Sequence, residues 1–412
     1  MQLTQQIKID VNPDKKDVLW KLSEKCRLIY NFALDERKKA FDAGKKVSYV
    51  DQQNTLPALK KQFPEYGWVY SKVLQYVLRT LDANYKSFFA LHKKDPNANP
   101  PKFRGKNYFF TMVYNQSGFK HYDGKIQLSH KCNKFPLEFK IPDKFKFSKI
   151  YQISVYEKDK DFYLSVVYEK PNKDFIDNGL YQAFDLGATK HSAVNLSGKF
   201  VNFVNARPDK YWRSKIQSLQ CRRDRCQKYS LRWNFFHKLL CKCKRKSSNQ
   251  LKDFQHKLSR KIVDNTKANT IIVGDLSVKK LCQINRWQKG LHSSMHNTGC
   301  IARFVSFLTY KAKLVGKRVI ENSEVNSTKE CYVCGKKHDM PLDKRIMICD
   351  CGNVIDRDEN SSVNIMVKFL SLNGLWTACQ TLFGNLRQTV NGKTQVALDL
   401  RFRELVGSPF QN

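Results

Sequence analysis

Four cysteines stand in two close pairs, Cys331 and Cys334 in "CYVCG" and Cys349 and Cys351 in "CDCG", with 14 residues between the pairs. Four thiolates at about 2.3 Å can close a tetrahedral Zn²⁺ shell and staple a loop that has almost no core of its own. Such a shell leaves no open position for water, so its role is structural. Gly335 and Gly352 follow the two pairs and let the chain turn around an ion. The second pair has a single intervening residue, tighter than the usual two, and His338 is the spare ligand if one thiol cannot reach. A degenerate ribbon without metal is the competing reading.

The second chemical group is acidic. Asp185 ends the apolar segment "LYQAFD", and "DRDEN" sets Asp356 and Asp358 before a helix carrying Val363, Met366 and Phe369. Carboxylates gathered from several strand ends are what two Mg²⁺ ions about 3.5–4 Å apart require to activate water against a phosphodiester. Each acid also has a plainer reading: Asp-Leu-Gly makes turns, and an acid before a helix is a cap. A third segment, "IIVGD" (271–275), reads as a buried strand that stops at Gly274 and Asp275, which makes Asp275 the first candidate for a third acid.

The chain has 412 residues, with 74 Lys and Arg against 37 Asp and Glu, a net charge of +37. A small domain stays soluble with a net charge of roughly 2 to 8, so an excess this large calls for a polyanion. Nucleic acid fits better than an acidic membrane. Residues 210–261 hold 17 Lys or Arg and two Asp, interleaved with Tyr211, Trp212, Tyr229, Trp233, Phe235, Phe236 and Phe254. Phosphate contact explains both the charge and its one sign. Arg222, Arg223, Arg225, Trp233, Lys244 and Arg245 are the candidate contacts. No apolar run of about 18 residues is present, so no membrane span is expected. The start lacks the pattern of a signal peptide. Thirteen cysteines, an odd and irregular set, point to a reduced, cytoplasmic chain.

These residues need elements to hold them. Val18, Leu22, Cys26, Ile29 and Ala33 predict a helix over 15–43. Val73, Val77, Leu81, Tyr85 and Phe88 predict another within 56–94. The segment 93–106, with three prolines, is a loop. From 108 to 170 the period becomes two, and "YQISVYEKDKDFYLSVVYEK" is a hairpin turning at "EKDKD". "LYQAFDLG", then the hairpin "SAVNLSGKFVNFV", the strand "TIIVGD", a helix that stops at Gly316 and the strand "KRVIENSE" follow in order. The tail after about 375 carries no readable signal.

"FDLG", the basic aromatic helices, "VGDLSVKKL", "NSTKECYVCG" and "CDCGNVIDRDENSSVNI" occur in an order that resembles the TnpB family, transposon-encoded RNA-guided nucleases related to type V CRISPR effectors. The likeness runs from about 180 to 370. It implies an α/β RuvC (RNase H-like) nuclease domain with an inserted zinc ribbon, preceded by a β-rich wedge domain with a helical recognition insert. The implied bounds are 1–178 for the wedge domain, with its insert at about 15–95, and 179–370 for the RuvC domain. The latter includes basic helices 208–265 and ribbon 327–353, and a C-terminal tail covers 371–412. By the same resemblance Asp185 and Asp358 are catalytic.

The family's remaining acid is a Glu where this chain has Gly274. Asp275 cannot replace it, because a shift of one residue turns a strand side chain to the opposite face. Some relatives look rearranged, with the Glu just before the ribbon. Glu324 ends the neighbouring strand, about 4.8 Å away in a sheet. Glu321 is the fallback, with opposite parity. The expected set is therefore Asp185, Glu324 and Asp358 holding Mg²⁺, and Cys331, Cys334, Cys349 and Cys351 holding Zn²⁺. The implied partners are a guide RNA and double-stranded target DNA, which would put the cytoplasmic chain on the nucleoid when bound. Tyr108, Phe109, Tyr114, Asn115 and Gln116, in "RGKNYFFTMVYNQSGF", are candidates for reading a short motif beside the target. The oligomeric state stays open. So do a nuclease-dead RNA-guided repressor, a compact type V CRISPR-associated effector and a zinc-ribbon DNA-binding protein without RNA.

Overall fold

The computed structural model describes residues 1–133, 135–275, 300–341 and 343–406, so the "LSVKKL" part of the family-like segment lies outside the described residues. The chain divides into two compact units, Met1–Pro171 and Asn172–Asn412.

In the first unit, a strand precedes the helices. β1 (Gln2–Ile9) pairs antiparallel with β7 (Asp161–Glu169), in a sheet ordered β1-β7-β6-β2 that also contains β6 (Ile150–Lys158) and β2 (Met112–Asn115). The "EKDKD" hairpin turns as expected, with Asp159 and Lys160 at φ +55° and +72°, the left-handed pair that a tight hairpin demands. A three-stranded sheet, β3 (Phe119–Tyr122), β4 (Lys125–Leu128) and β5 (Leu137–Lys140), completes the β part. Helix α1 (Pro13–Asp42) is capped by Asn12 and buries Val18, Leu22, Cys26, Ile29 and Ala33. The second helical stretch is two helices, α2 (Tyr49–Gln62) and α3 (Ser71–His92), separated where Pro64 starts a 3₁₀ turn. Val73, Val77 and Leu81 of α3 join the same core.

The second unit begins at Asn172, a few residues before the expected boundary. The reason is that residues 176–178 are hydrogen-bonded into it: Asn178 donates to the Lys267 carbonyl (2.8 Å), and Asn269 donates to that of Ile176 (2.7 Å). Its sheet runs β10 (Phe200–Val204), β9 (Lys190–Asn195), β8 (Tyr181–Leu186), β11 (Thr270–Gly274), β12 (Arg318–Asn322). The first three strands are antiparallel, while β11 lies parallel to both β8 and β12. Apolar residues alternate between the two faces, so each strand feeds two cores. Phe184, Leu186, Ile271 and Val273 pack with α5 (Leu231–Asn265) and α6 (Cys300–Leu314). Ala183, Val194 and Ile272 pack with α7 (Arg357–Leu372) and α8 (Trp376–Arg387).

The segment 371–412 is not a loose tail as far as residue 406. Cys379, Leu382, Phe383 and Leu386 of α8 and Leu398 of α9 (Gly392–Val406) are buried in the core beneath α7. Among the described residues, no helix is long and apolar enough to cross a membrane.

Candidate active site and cysteine cluster

The face that carries Ala183 also carries Asp185, two residues on, at the end of β8. The register puts Gly274 of β11 opposite Asn322 of β12, and both face α7: a Cβ at Gly274 would touch Ile365, and Asn322 donates to the Ile365 carbonyl (3.2 Å). Parity then decides the acids. Asp275 follows Gly274 with the opposite parity and is exposed, its N–H held by the Asn322 carbonyl (2.8 Å). Glu321 is exposed on the other parity. Glu324 shares the parity of Asn322, and its carboxylate folds over Gly274. A Cβ built there would lie 2.5 Å from Glu324 Oε2 and 3.3 Å from Glu324 Cβ. The room that a side chain at 274 would need is occupied by the acid that follows the next strand.

Two carboxyls in this place are strongly perturbed. Burial, then the charges of Asp358 and Glu324, push Asp185 up to about 7, against the pull of a hydrogen bond from Ser361. Burial and the nearby Asp275 push Glu324 up to about 7 as well. Buried Asp185 is thus repelled by the half-buried Asp358 and Glu324, and Glu324 by the exposed Asp275, as expected of carboxylates crowded together.

Glu324 lies two residues past β12 and is positioned by a strapped turn. Ser327 N–H closes the turn onto the Glu324 carbonyl (3.0 Å). Asn360 and Asn364, one helical turn apart on α7, both donate to the carbonyls of Ser327 and Glu330, at 2.6–3.2 Å. Ser361 reaches the Ser327 hydroxyl (2.8 Å). The same helix thus presents Asp358 and holds the loop of Glu324.

Asp356 is the cap that its position suggested. It accepts from the N–H groups of Asp358 (2.8 Å) and Glu359 (3.4 Å). Lys190 pairs with Asp356 at 2.8 Å and reaches Asp358 at 3.7 Å. Ser192 donates to Asn202 (2.6 Å), which donates to Glu359 (2.7 Å). Lys190, Asn202 and Ser361 were not singled out from sequence. The polar residues interrupting the apolar stripe of α7 were the available signal for Ser361, Asn360 and Asn364.

The four cysteine sulfurs lie within 4.8 Å of one another, the only such grouping of metal-ligating side chains among the described residues. Sγ separations of 3.8 Å (Cys331–Cys351) and 3.4 Å (Cys334–Cys349) are near the roughly 3.8 Å edge of a tetrahedron with 2.3 Å bonds. Both knuckles use their glycines as expected, Gly335 at φ +75° and Gly352 at φ +92°. The short second pair works because Gly352 N–H bonds the Cys349 carbonyl (2.9 Å) and Cys349 N–H bonds that of Asn353 (2.9 Å). Asn353 also donates to Cys331 Sγ (3.3 Å). This cluster could hold a structural zinc ion with no help from His338.

Arg401, in the segment that gave no signal, anchors the ribbon. Its buried guanidinium donates to the Cys331 carbonyl, to Glu330 (2.7 Å) and to Asn364 (3.3 Å).

The basic segment forms α4 (Pro208–Asp224) packed on α5. Arg222, Arg225 and Lys244 are exposed. Arg223 is instead engaged, with Asp224 (2.6 Å) and over the Trp233 ring (5.9 Å), and Arg245 is half-buried. Among the motif-reading candidates, Tyr108, Asn115 and Gln116 are exposed, but Phe109 and Tyr114 are core residues. Phe109 packs edge-on against Trp20 (5.2 Å) and Phe162 (5.3 Å), and Tyr114 stacks on Tyr70 (6.4 Å). Strand alternation, which turns Tyr114 inward, overrides their aromatic character.

The second unit is therefore an α/β domain with acids at its strand ends and a cysteine ribbon between its last strand and the helix that completes the site. Residues 302–365, spanning most of that arrangement, match the family described as Cas12f1-like, TNB domain. Residues 1–46 match a helix-turn-helix domain family of the IS605 OrfB type, although they form β1 and the single helix α1 here. A Streptomyces pristinaespiralis protein provisionally named an RNA-guided DNA endonuclease is 25% identical over 350 residues, 84% of each chain. TnpB-like protein L79 of Acanthamoeba polyphaga mimivirus is 33% identical over 128 residues, 31% of this chain and 24% of that protein. The solved Cas12f1-sgRNA-target DNA complex contains a chain of the same fold, with TM-score 0.60 and 14% identity over 86% of this chain and 83% of that one. The chain is thus similar to TnpB-like proteins and to RNA-guided DNA endonucleases in sequence, and to a Cas12f1 chain in fold.

Proposed function

We propose that the chain is an RNA-guided DNA endonuclease of the TnpB type, with its second unit a RuvC nuclease domain and its first a wedge domain with recognition helices. Asp185, Glu324 and Asp358 would hold Mg²⁺, and Cys331, Cys334, Cys349 and Cys351 a structural Zn²⁺. The observation that carries the reading is the Glu324 carboxylate lying over Gly274, beside an Asp185 whose pKa it raises. A chain that had lost catalysis has no reason to keep a second, half-buried acid against the first.

Bound Mg²⁺ would supply the charge that activates water and stabilises the leaving oxygen. This chain's residues set the conditions. The sheet fixes Asp185, the Asp356 cap fixes the first turn of α7 and with it Asp358, and the strapped turn fixes Glu324. Lys190 neutralises Asp356 and stands 3.7 Å from Asp358. The basic hairpin would meet the nucleic-acid backbone, and the named partners of the relatives support guide RNA and target DNA in that role.

The test is plasmid cleavage with the co-expressed guide RNA and Mg²⁺, comparing the native chain with Glu324→Gln and Asp358→Asn. Cutting by the native chain, abolished in both variants with target binding retained, is expected. Guided binding without any cutting by the native chain would make the protein a binder. Normal cutting by Glu324→Gln would remove Glu324 from the site and return the role to Glu321 or Asp275.

A further inference from the structure

At the tip of the α4–α5 hairpin, Tyr229 is 69% exposed and has its backbone at φ +70°, a left-handed conformation costly for an aromatic residue. The surroundings hold it there. Ser230 caps α5 by accepting the Trp233 N–H (3.2 Å), Ser230 N–H bonds the Gln227 carbonyl (3.1 Å), and Asn234 donates to the Tyr229 carbonyl (2.9 Å). A strained residue so firmly constrained calls for a use.

Its neighbours supply one. Tyr229, just before α5, and Trp233 and His237 on it, spaced four residues apart, form a column of rings. Tyr229 meets Trp233 at 5.5 Å, and Trp233 lies nearly parallel to His237 at 4.6 Å and 12°. Lys228 sits over the Tyr229 ring (5.1 Å) and Arg223 over that of Trp233 (5.9 Å). The exposed Tyr229 ring is the open end of the column. From Arg225 to Gln250 there are eight Lys or Arg and no acidic residue. An apolar protein partner would not need this charge, whereas a strand of nucleic acid needs both a π-face and cations beside it.

We propose that Tyr229 is a stacking platform for one unpaired nucleobase of a single strand running along the α4–α5 hairpin. Lys228 moves from the ring to the adjoining phosphate as the base takes its place. This goes further than the proposed nuclease function, on which it rests, by assigning a single-strand contact to one side chain.

The experiment uses the full chain and three probes: a single-stranded RNA and DNA of one sequence, each carrying 2-aminopurine, and the matching DNA duplex. Stacking quenches 2-aminopurine. Tyr229→Phe should bind and quench as the native chain does. Tyr229→Gly should lose the quenching and bind single strands about 5- to 150-fold more weakly, the range of one base–aromatic stack, with duplex affinity unchanged. Its melting temperature should hold or rise, because glycine accepts φ +70° without strain. That opposition of stability and binding separates a platform from a folding role. Quenching with the RNA alone or the DNA alone assigns the strand, and either supports the proposal. Native-like single-strand binding by Tyr229→Gly, an equal loss on duplex and single strand, or no quenching by the native chain would overturn it. Plasmid cutting by a native chain that fails to quench would leave the nuclease reading standing alone.

Discussion

Consider Gly274→Ala. The glycine has an ordinary backbone conformation, so a methyl group meets no torsional penalty. It meets Glu324 instead, with Oε2 at 2.5 Å and Cβ at 3.3 Å, and Ile365 Cδ1 at 3.3 Å. Ordinary van der Waals contact begins near 3.4 Å, so the carboxylate must withdraw by about 0.9 Å. It is the free end of a side chain, so the fold should lose no more than about 1–3 kcal/mol, the usual range for overpacking. Function is less forgiving: misplacing a reacting group by about 1 Å can cost on the order of 100-fold in rate. We therefore expect single-turnover plasmid cleavage to slow about 10- to 100-fold with target binding intact. The companion variant returns the acid to β11: Gly274→Glu together with Glu324→Gly should cut faster than Glu324→Gly alone. Native cutting by Gly274→Ala would refute the claim that Glu324 works from the space above residue 274. A double variant no better than Glu324→Gly would refute the claim that the two positions serve one site.

Three further outcomes are expected. Asp185 has its folded pKa raised from 3.8 to about 7, so its contribution is fully present below pH 3.8 and lost as pH rises through 7. Metal-free native protein should therefore lose on the order of 3–4 kcal/mol between about pH 4 and 8, and Asp185→Asn should flatten that part of a melting-temperature profile. Carefully purified protein should hold about one zinc per chain, and Cys349→Ser should lose it and destabilise the ribbon; elemental analysis and thermal melting check both. Arg401→Ala strands Glu330 and the Cys331 carbonyl, so the melting temperature should fall by the equivalent of about 3–5 kcal/mol, and a chelator should strip zinc faster.

What sequence reasoning recovered is what short-range chemistry specifies. Period-two and helical patterns located β6, β7 and α1, and two glycine-terminated cysteine pairs located the cluster. Parity argues against Asp275 and leaves Glu321 only a fallback from the sequence itself, because strand alternation is a local rule. What it missed depends on distant partners. Lys190 follows a turn, and nothing nearby says that it will meet Asp356. Arg401 lies 70 residues from the carbonyl it binds. β1 carries a weak local signal, since only Ile7 and Ile9 are buried and its pairing partner is the distant β7. Phe109 and Tyr114 resembled recognition residues because aromatic and amide side chains serve both interfaces and cores.

If Glu324 serves in place of an acid at residue 274, as proposed, the cysteine cluster and the carboxylates are one structural problem. An acid carried within β11 would be held by the sheet on both sides. Glu324 has left the sheet, and its loop runs directly into Cys331. The residues that fix the loop, Asn360, Asn364 and Ser361, sit on α7, and Arg401 links Asn364, Glu330 and the first knuckle in a single buried contact. Loosening the ribbon therefore loosens the turn from Ser327 to Glu330 that closes onto Glu324. A protein of this fold with its Glu at the position of Gly274 should tolerate a damaged ribbon better than this chain should. Zinc removal should accordingly lower cleavage here before it lowers guided binding, and a Gly274→Glu, Glu324→Gly chain should lose that sensitivity. Equal loss of cutting on chelation in the native and double-variant chains would break the link between ribbon and acid.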